Sequence, residues 1–305
     1  MKPLKSRQIH IFLKPEWSGL IIRSMTLLII QFSAIPMSQK TYVHGYSKRE
    51  SERLSDQAQT LTSLLHDDTR FPAGSCVLEA GCGIGAQTII LAKNSPGAYI
   101  TSIDMSADSL RRAEVMTRKE GITNVSFCQG DIFHLPFAPD TFDHIFVCFV
   151  LEHLTEPQHG LEQLRPLLKK GGIITVIEGD HGSAFFHPDS QFAQKAIDCL
   201  VSLQRNIGGN ALIGRQLYPL LFDAGFGDVH VSPRMVYVDA SRPALVEGFT
   251  KLTFTAMVEG VRDAALRQGL ISIEEWDQGI RDLYRTAEPD GVFCYTFFKV
   301  TGTRT

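Results

Sequence analysis

Apolar positions along the chain repeat with two different periods. Between residues 42 and 66, Leu54, Ala58, Leu61, Leu64 and Leu65 recur at three- and four-residue steps, which predicts a helix with one buried face. Cys76-Val-Leu-Glu-Ala-Gly81 is a short apolar run stopped by glycine, the pattern of a strand buried on both sides. Gln87 to Lys93 predicts the following helix, and Ala98 to Asp104 a second strand. Ser106 stands where an N-cap belongs, ahead of a helix carrying Leu110, Ala113 and Met116. Val125 to Asp131 predicts a third strand, and Phe142 to Leu154 a fourth that runs into a loop. Leu161 to Leu168 predicts a helix with Lys169-Lys170-Gly171-Gly172 as its basic last turn and glycine stop. Ile173 to Asp180 is a fifth strand.

Strands alternating with helices at this spacing predict an α/β fold with a doubly wound, Rossmann-like parallel sheet. Residues 214–239 read as helix, turn and strand, and Gly291 to Gly302 is strongly β-prone. Between them, Ser241 to Leu270 carries a helical stripe (Leu245, Phe249, Leu252, Met257, Val261, Ala265), and Ser272-Ile-Glu-Glu275 has the capping-box pattern. The expected organisation is a single domain over 38–305, with its core at about 70–182, 213–239 and 292–303. Segments at about 38–69, 183–212 and 240–291 form a helical cover over the carboxyl ends of the strands, where such sheets bind ligands.

Residues 1–37 are basic, then apolar, and end near Pro36. They read either as a signal or anchor, or as a poorly ordered extension ahead of Met37; Arg23 and Gln31 interrupt the apolar run and speak against a stable membrane span. Composition changes little: 44% hydrophobic and 21% charged residues suit an ordinary globular chain of 305 residues. A formal net charge of -3 and the lack of a basic run give no reason to expect nucleic acid as a partner. Six cysteines without a C-x-x-C pair, several inside apolar runs, suit reduced thiols and a cytoplasmic location. His, Asp and Glu show no tight ligand spacing, so no metal is expected.

Gly81-Cys-Gly83-Ile-Gly85 follows the first strand and opens a helix, which allows close backbone approach by a ligand. Gly81-x-Gly83-x-x-Ala86 formally meets the dinucleotide fingerprint. Glu79, two residues earlier, would repel a pyrophosphate and attract a cation such as an ammonium or sulfonium. Asp104, closing the second strand, suits ribose hydroxyls. Asp131 closes the third strand, where it could accept from an exocyclic amine, with Met105 and Ile132 supplying apolar faces to a ring.

These features resemble the class I S-adenosylmethionine-dependent methyltransferases, within them the small-molecule type 11 (UbiE-like) group. The matching residues are Glu79-Ala-Gly81-Cys-Gly83-Ile-Gly85, Asp104, Gly130-Asp131, Phe142-Asp143, Leu151-Glu152-His153 and Lys170-Gly171-Gly172. The resemblance implies a seven-stranded sheet whose last strand is antiparallel, with S-adenosylmethionine as cofactor. Glu79 and the loop would then face its methionine part, Asp104 its ribose and Asp131 its adenine, with Glu152 beside the methionine end. Tyr46, with Tyr42 and His44, lies in a segment that in similar enzymes folds over the cofactor.

Methyl transfer from a sulfonium needs alignment first and, for many acceptors, a base. His153, after the fourth strand, is the first candidate, with an ordinary helix start as the alternative reading of Leu151 to Leu154. His181, after the fifth strand, is the second, with a solvent-exposed loop histidine as the alternative. His187 is a weaker base candidate, and Arg215 and Tyr218 are candidates for substrate contact. Phe185, Phe186, Phe192, Phe249, Phe254 and Trp276 make the cover aromatic, which favours a small aromatic or heterocyclic acceptor. Cys148 to Leu154 shows no stacking motif for a flipped base. A protein or peptide methyltransferase and a non-catalytic S-adenosylmethionine-binding regulator are the alternatives.

Overall fold

The computed structural model describes residues 48–305. Seven strands form one sheet in the order β3-β2-β1-β4-β5-β7-β6. They are β1 (Cys76–Ala80), β2 (Tyr99–Asp104), β3 (Val125–Gln129), β4 (Phe142–Cys148), β5 (Leu168–His187), β6 (Gly227–Val238) and β7 (Val292–Thr303). The first five run parallel to their neighbours, and β7 runs antiparallel to both β5 and β6. The doubly wound sheet with an antiparallel last strand is thus as the sequence implied. Its switch point falls at β1, flanked by β2 on one side and β4 on the other, so the carboxyl ends of β1 and β4 open the crevice.

Strand alternation divides the core. Val77, Phe146 and Ile177 face α1 (Lys48–His66), α2 (Ala86–Asn94) and the cover helices, while Leu78, Val147 and Val176 face α4 (Pro157–Leu164) and α6 (Leu217–Asp223). Leu61 and Leu65 of α1 and Leu161 and Leu164 of α4 are buried against these faces. Each such side chain contributes about 1.5–3 kcal/mol on transfer from water. Ser106 caps α3 (Ala107–Lys119) by accepting from the Ser109 N–H, and Ser272 with Glu275 forms the expected capping box on α10 (Ile273–Arg285).

Three elements differ from expectation. Lys169 to Gly172 does not end a helix: α4 stops at Leu164, a short turn follows, and β5 begins at Leu168. Lys169 Nζ instead lies 2.7 Å from Asp143 Oδ1, and a Cβ on Gly172 would press on the Asp143 carbonyl. Residues 183–187 belong to the sheet rather than to the cover, because Phe185, Phe186 and His187 pair with β7. The stripe from Ser241 to Leu270 is broken as well. α7 (Pro243–Leu245) runs into a π-type stretch, Val246–Thr255, then α8 (Ala256–Glu259), and after a turn α9 (Arg262–Arg267). With α5 (Gln191–Asn206) and α10 these make the cover. Among the described residues no helix is long and apolar enough to cross a membrane.

Candidate active site

The glycine loop is held from three sides. The Gly81 and Cys82 amides both donate to the Ile103 carbonyl at 2.8 Å, which fastens the loop to the end of β2. Gly81 has φ +80°, and a Cβ there would overlap Val150 after β4. Gly85 precedes α2 and packs against Ala113 of α3. Gly83 differs: at φ +53°, a Cβ would meet none of the described residues within 4 Å. Its bare backbone therefore borders open space, as a cradle for a ligand requires.

Asp104 ties the loop to the next turn. Oδ2 accepts the Gly83 N–H at 2.9 Å and Oδ1 the Ser106 N–H at 2.8 Å. Burial raises its pKa against those two bonds. A carboxylate has about four lone-pair sites, so sites remain for hydroxyl donors.

Glu79 lies beneath the loop, 2% exposed, its Oε2 accepting from Thr88 Oγ1 and Ser102 Oγ at 2.6 Å each. Burial lifts it to about 7, with the Asp104 charge adding to the rise and the two hydroxyls opposing it. The carboxyl thus links β1, β2 and α2, and a cation bound above the loop would favour its ionised form.

Beyond β3, Asp131 Oδ1 accepts the Phe133 N–H at 3.0 Å, and Oδ2 faces exposed His134 at 3.9 Å. Met105 is exposed, whereas Ile132 packs into the core beneath Gly160 and offers a ring less surface than expected.

A second polar centre lies where β4 and β5 end. Phe149, at φ +57°, turns the chain out of β4, an uncommon conformation for a bulky residue and one that concentrates at functional sites. The turn Leu151–His153 follows. Glu178 of β5 braces it: Oε1 accepts the Val150 and Leu151 N–H groups at 2.9 and 2.7 Å. Burial and the Glu152 charge push the Glu178 carboxyl well up, so it is the protonated member of the pair. Burial also opposes ionisation of Glu152, but His153, His181, the Gln204 amide and Arg53 together hold it below the ordinary range. Gln204 Nε2 reaches Glu152 Oε2 at 3.1 Å, and His153 Nε2 stands 3.6 Å from Oε1. Two neighbouring carboxyls with opposed protonation mark a site able to separate charge.

His181 is buried at 5% exposure, not a solvent-exposed loop histidine. Arg215 is committed to Asp180, with contacts of 2.6 and 2.9 Å, and Tyr218 stacks on Phe222 at the surface. His187 and Phe185 are exposed, and Phe249, Phe254 and Trp276 are core residues of the cover. Tyr42, His44 and Tyr46, like the segment 1–37, lie outside the described residues. Sequence reasoning missed Gln204, Arg53 and Tyr295 as site groups, since each is contributed by a different element. Tyr295 carried one signal, a polar tip between inward-facing Phe293 and Phe297.

Residues 73–224 match the model of a methyltransferase domain. The chain belongs to the class I S-adenosylmethionine-dependent methyltransferases. An uncharacterised methyltransferase of Schizosaccharomyces pombe is 33% identical over 159 residues, 49% of this chain and 56% of that protein. Demethylmenaquinone methyltransferase of Clavibacter sepedonicus is 36% identical over 133 residues, 40% of this chain and 52% of that one. The chain thus spans about half the length of these relatives. In fold it resembles a phosphoethanolamine N-methyltransferase of Haemonchus contortus solved with S-adenosylhomocysteine, with a TM-score of 0.50 and 17% identity over 82% of this chain and 52% of that one. Gly83 beside open space, the carboxylate of Asp104 and the buried acid under the loop fit the family's cofactor, which combines a ribose with a sulfonium and an ammonium.

Proposed function

We propose that this methyltransferase moves a methyl group to a small organic acceptor, in the crevice between the glycine loop and the turn after β4. S-adenosylmethionine, when bound, supplies an activated methyl group on a positively charged sulfur. The loop at Gly81, Gly83 and Gly85, with Asp104 and Asp131, would hold it, and Glu79 would stabilise its charge from below. Glu152 would stay ionised beside the methionine end. His153 is the proposed base, and the observation that carries this is its position 3.6 Å from an ionised carboxylate on a strained turn. A proton taken by its ring would be stabilised by Glu152.

An acceptor carrying an aromatic or heterocyclic ring is supported by the demethylmenaquinone methyltransferase among the relatives. The test is transfer of radiolabelled methyl groups from S-adenosylmethionine to a panel of hydroquinones, phenols, aromatic amines and peptides. Labelling of a ring acceptor, lost in His153→Ala with cofactor affinity retained, supports the reading. Labelling of peptides alone would replace it with protein methylation.

A further inference from the structure

The buried pair His181 and Tyr295 lies beside the site just described, and nothing in the proposed transfer uses the tyrosine. Between the pairs Asp180–Thr296 and Phe185–Cys294, four residues of β5 (181–184) stand opposite one residue of β7, Tyr295. Such bulges re-aim a side chain, and here the first bulged residue is His181. Its N–H donates to the Ala211 carbonyl at 2.9 Å, which pins the backbone. Its ring stands edge-on to Phe254, with centroids 6.3 Å apart at 86°. Nδ1 lies 2.8 Å from the Tyr295 hydroxyl. Gly179 makes room for that hydroxyl, which a Cβ there would overlap. Nε2 is buried and has no partner among the described residues.

Counting donors and acceptors fixes the proton. The Tyr295 phenol is kept protonated by burial and by the surrounding Glu152 and Asp180 carboxylates. If Nδ1 carried the ring proton and donated to the phenol, both the phenolic O–H and the Nε2 lone pair would be buried unpaired. If the phenol donates to Nδ1, only Nε2–H is unpaired. The first arrangement leaves two buried polar groups unpaired and the second only one, so the second wins. A native orphan of this kind points to a missing partner.

We infer that Tyr295 is a positioning residue that locks His181 with its proton on Nε2, making His181 a hydrogen-bond donor to an oxygen lone pair of the acceptor rather than a base. The donor role rests on the methyl-transfer reading; the tautomer does not. The site would then take acceptors with a carbonyl, phenolate or similar oxygen near the methylated atom.

The test is long-range nitrogen NMR of the full chain labelled at histidine nitrogens, with His181 assigned by contacts to the Phe254 and Tyr295 rings. The expected spectrum shows Nε2 protonated and Nδ1 bare, and Tyr295→Phe loses this separation and averages the two nitrogens. A bare Nε2 in the native chain overturns the inference, as does a Tyr295→Phe spectrum equal to the native one. Where an acceptor is turned over, His181→Gln, which keeps an N–H donor, should stay within about threefold of native kcat/KM, while His181→Leu falls more than about tenfold. Equal losses in both would indicate a base and overturn the donor role. An absence of methyl transfer would remove the functional reading and leave the nitrogen spectrum to decide the tautomer.

Discussion

Asp104 Oδ2 accepts the Gly83 N–H at 2.9 Å, so the residue expected to hold the ribose also shapes the glycine loop. Replacing Asp104 with Ala removes two backbone bonds together with the ribose acceptor. S-adenosylhomocysteine affinity should fall about 10- to 100-fold, the scale of about 1.5–3 kcal/mol for a charged hydrogen bond. Calorimetry of a folded variant with unchanged affinity would show that neither the loop nor the ribose depends on this carboxylate.

Gly81 and Gly83 share a left-handed backbone but should fail differently when changed to Ala. At Gly81 the new methyl overlaps Val150 as well as straining φ, for a stability loss of about 2–4 kcal/mol. At Gly83 only the backbone term of about 1–2 kcal/mol applies, because the methyl enters open space. There the loss should appear as weaker cofactor binding, by more than about tenfold. Denaturation and calorimetry on both variants separate these outcomes, and equal stability losses would contradict the geometry.

Much of this was legible in the sequence. Short apolar runs alternating with helical stripes announced β1 to β5, and the glycine loop with Glu79 and Asp104 announced the family. The rest depends on pairings between distant parts of the chain. Residues 183–187 read as cover because their partner strand begins at Val292. His181 read either as a base or as a histidine of a solvent loop because Tyr295 lies 114 positions away. Lys169 to Gly172 imitated a helix end, since a basic pair before two glycines serves a helix stop and a strand bulge alike.

Glu79 and His66 should oppose each other in the pH dependence of stability. Burial lifts Glu79 from 4.5 to about 7, so across that window the folded chain keeps a proton the unfolded chain has lost. Stability therefore falls as pH rises. Burial lowers His66 from 6.5 to about 4, so across that window the unfolded chain holds the extra proton and stability rises with pH. Each contribution is on the order of 3 kcal/mol, and the two largely cancel between about pH 4.5 and 6.5. Glu79→Gln removes the falling arm, and urea melts should then show stability increasing through that range. A variant whose pH slope matches the native one would contradict the burial of a titrating acid under the loop.

His153→Ala should lower kcat by about 100-fold or more, the usual contribution of a positioned base, with S-adenosylmethionine affinity close to native. Loss of affinity and turnover in proportion would reassign His153 to cofactor binding. Single-turnover rates alongside calorimetry distinguish the two.

The most direct test of the account is calorimetric titration of the full chain with S-adenosylmethionine, S-adenosylhomocysteine and NAD in parallel. The site predicts saturable binding of both sulfur ligands and no binding of NAD, because a carboxyl lies under the loop where a pyrophosphate would sit. Binding of NAD without the sulfur ligands would contradict the assignment of the loop and of every residue placed around it.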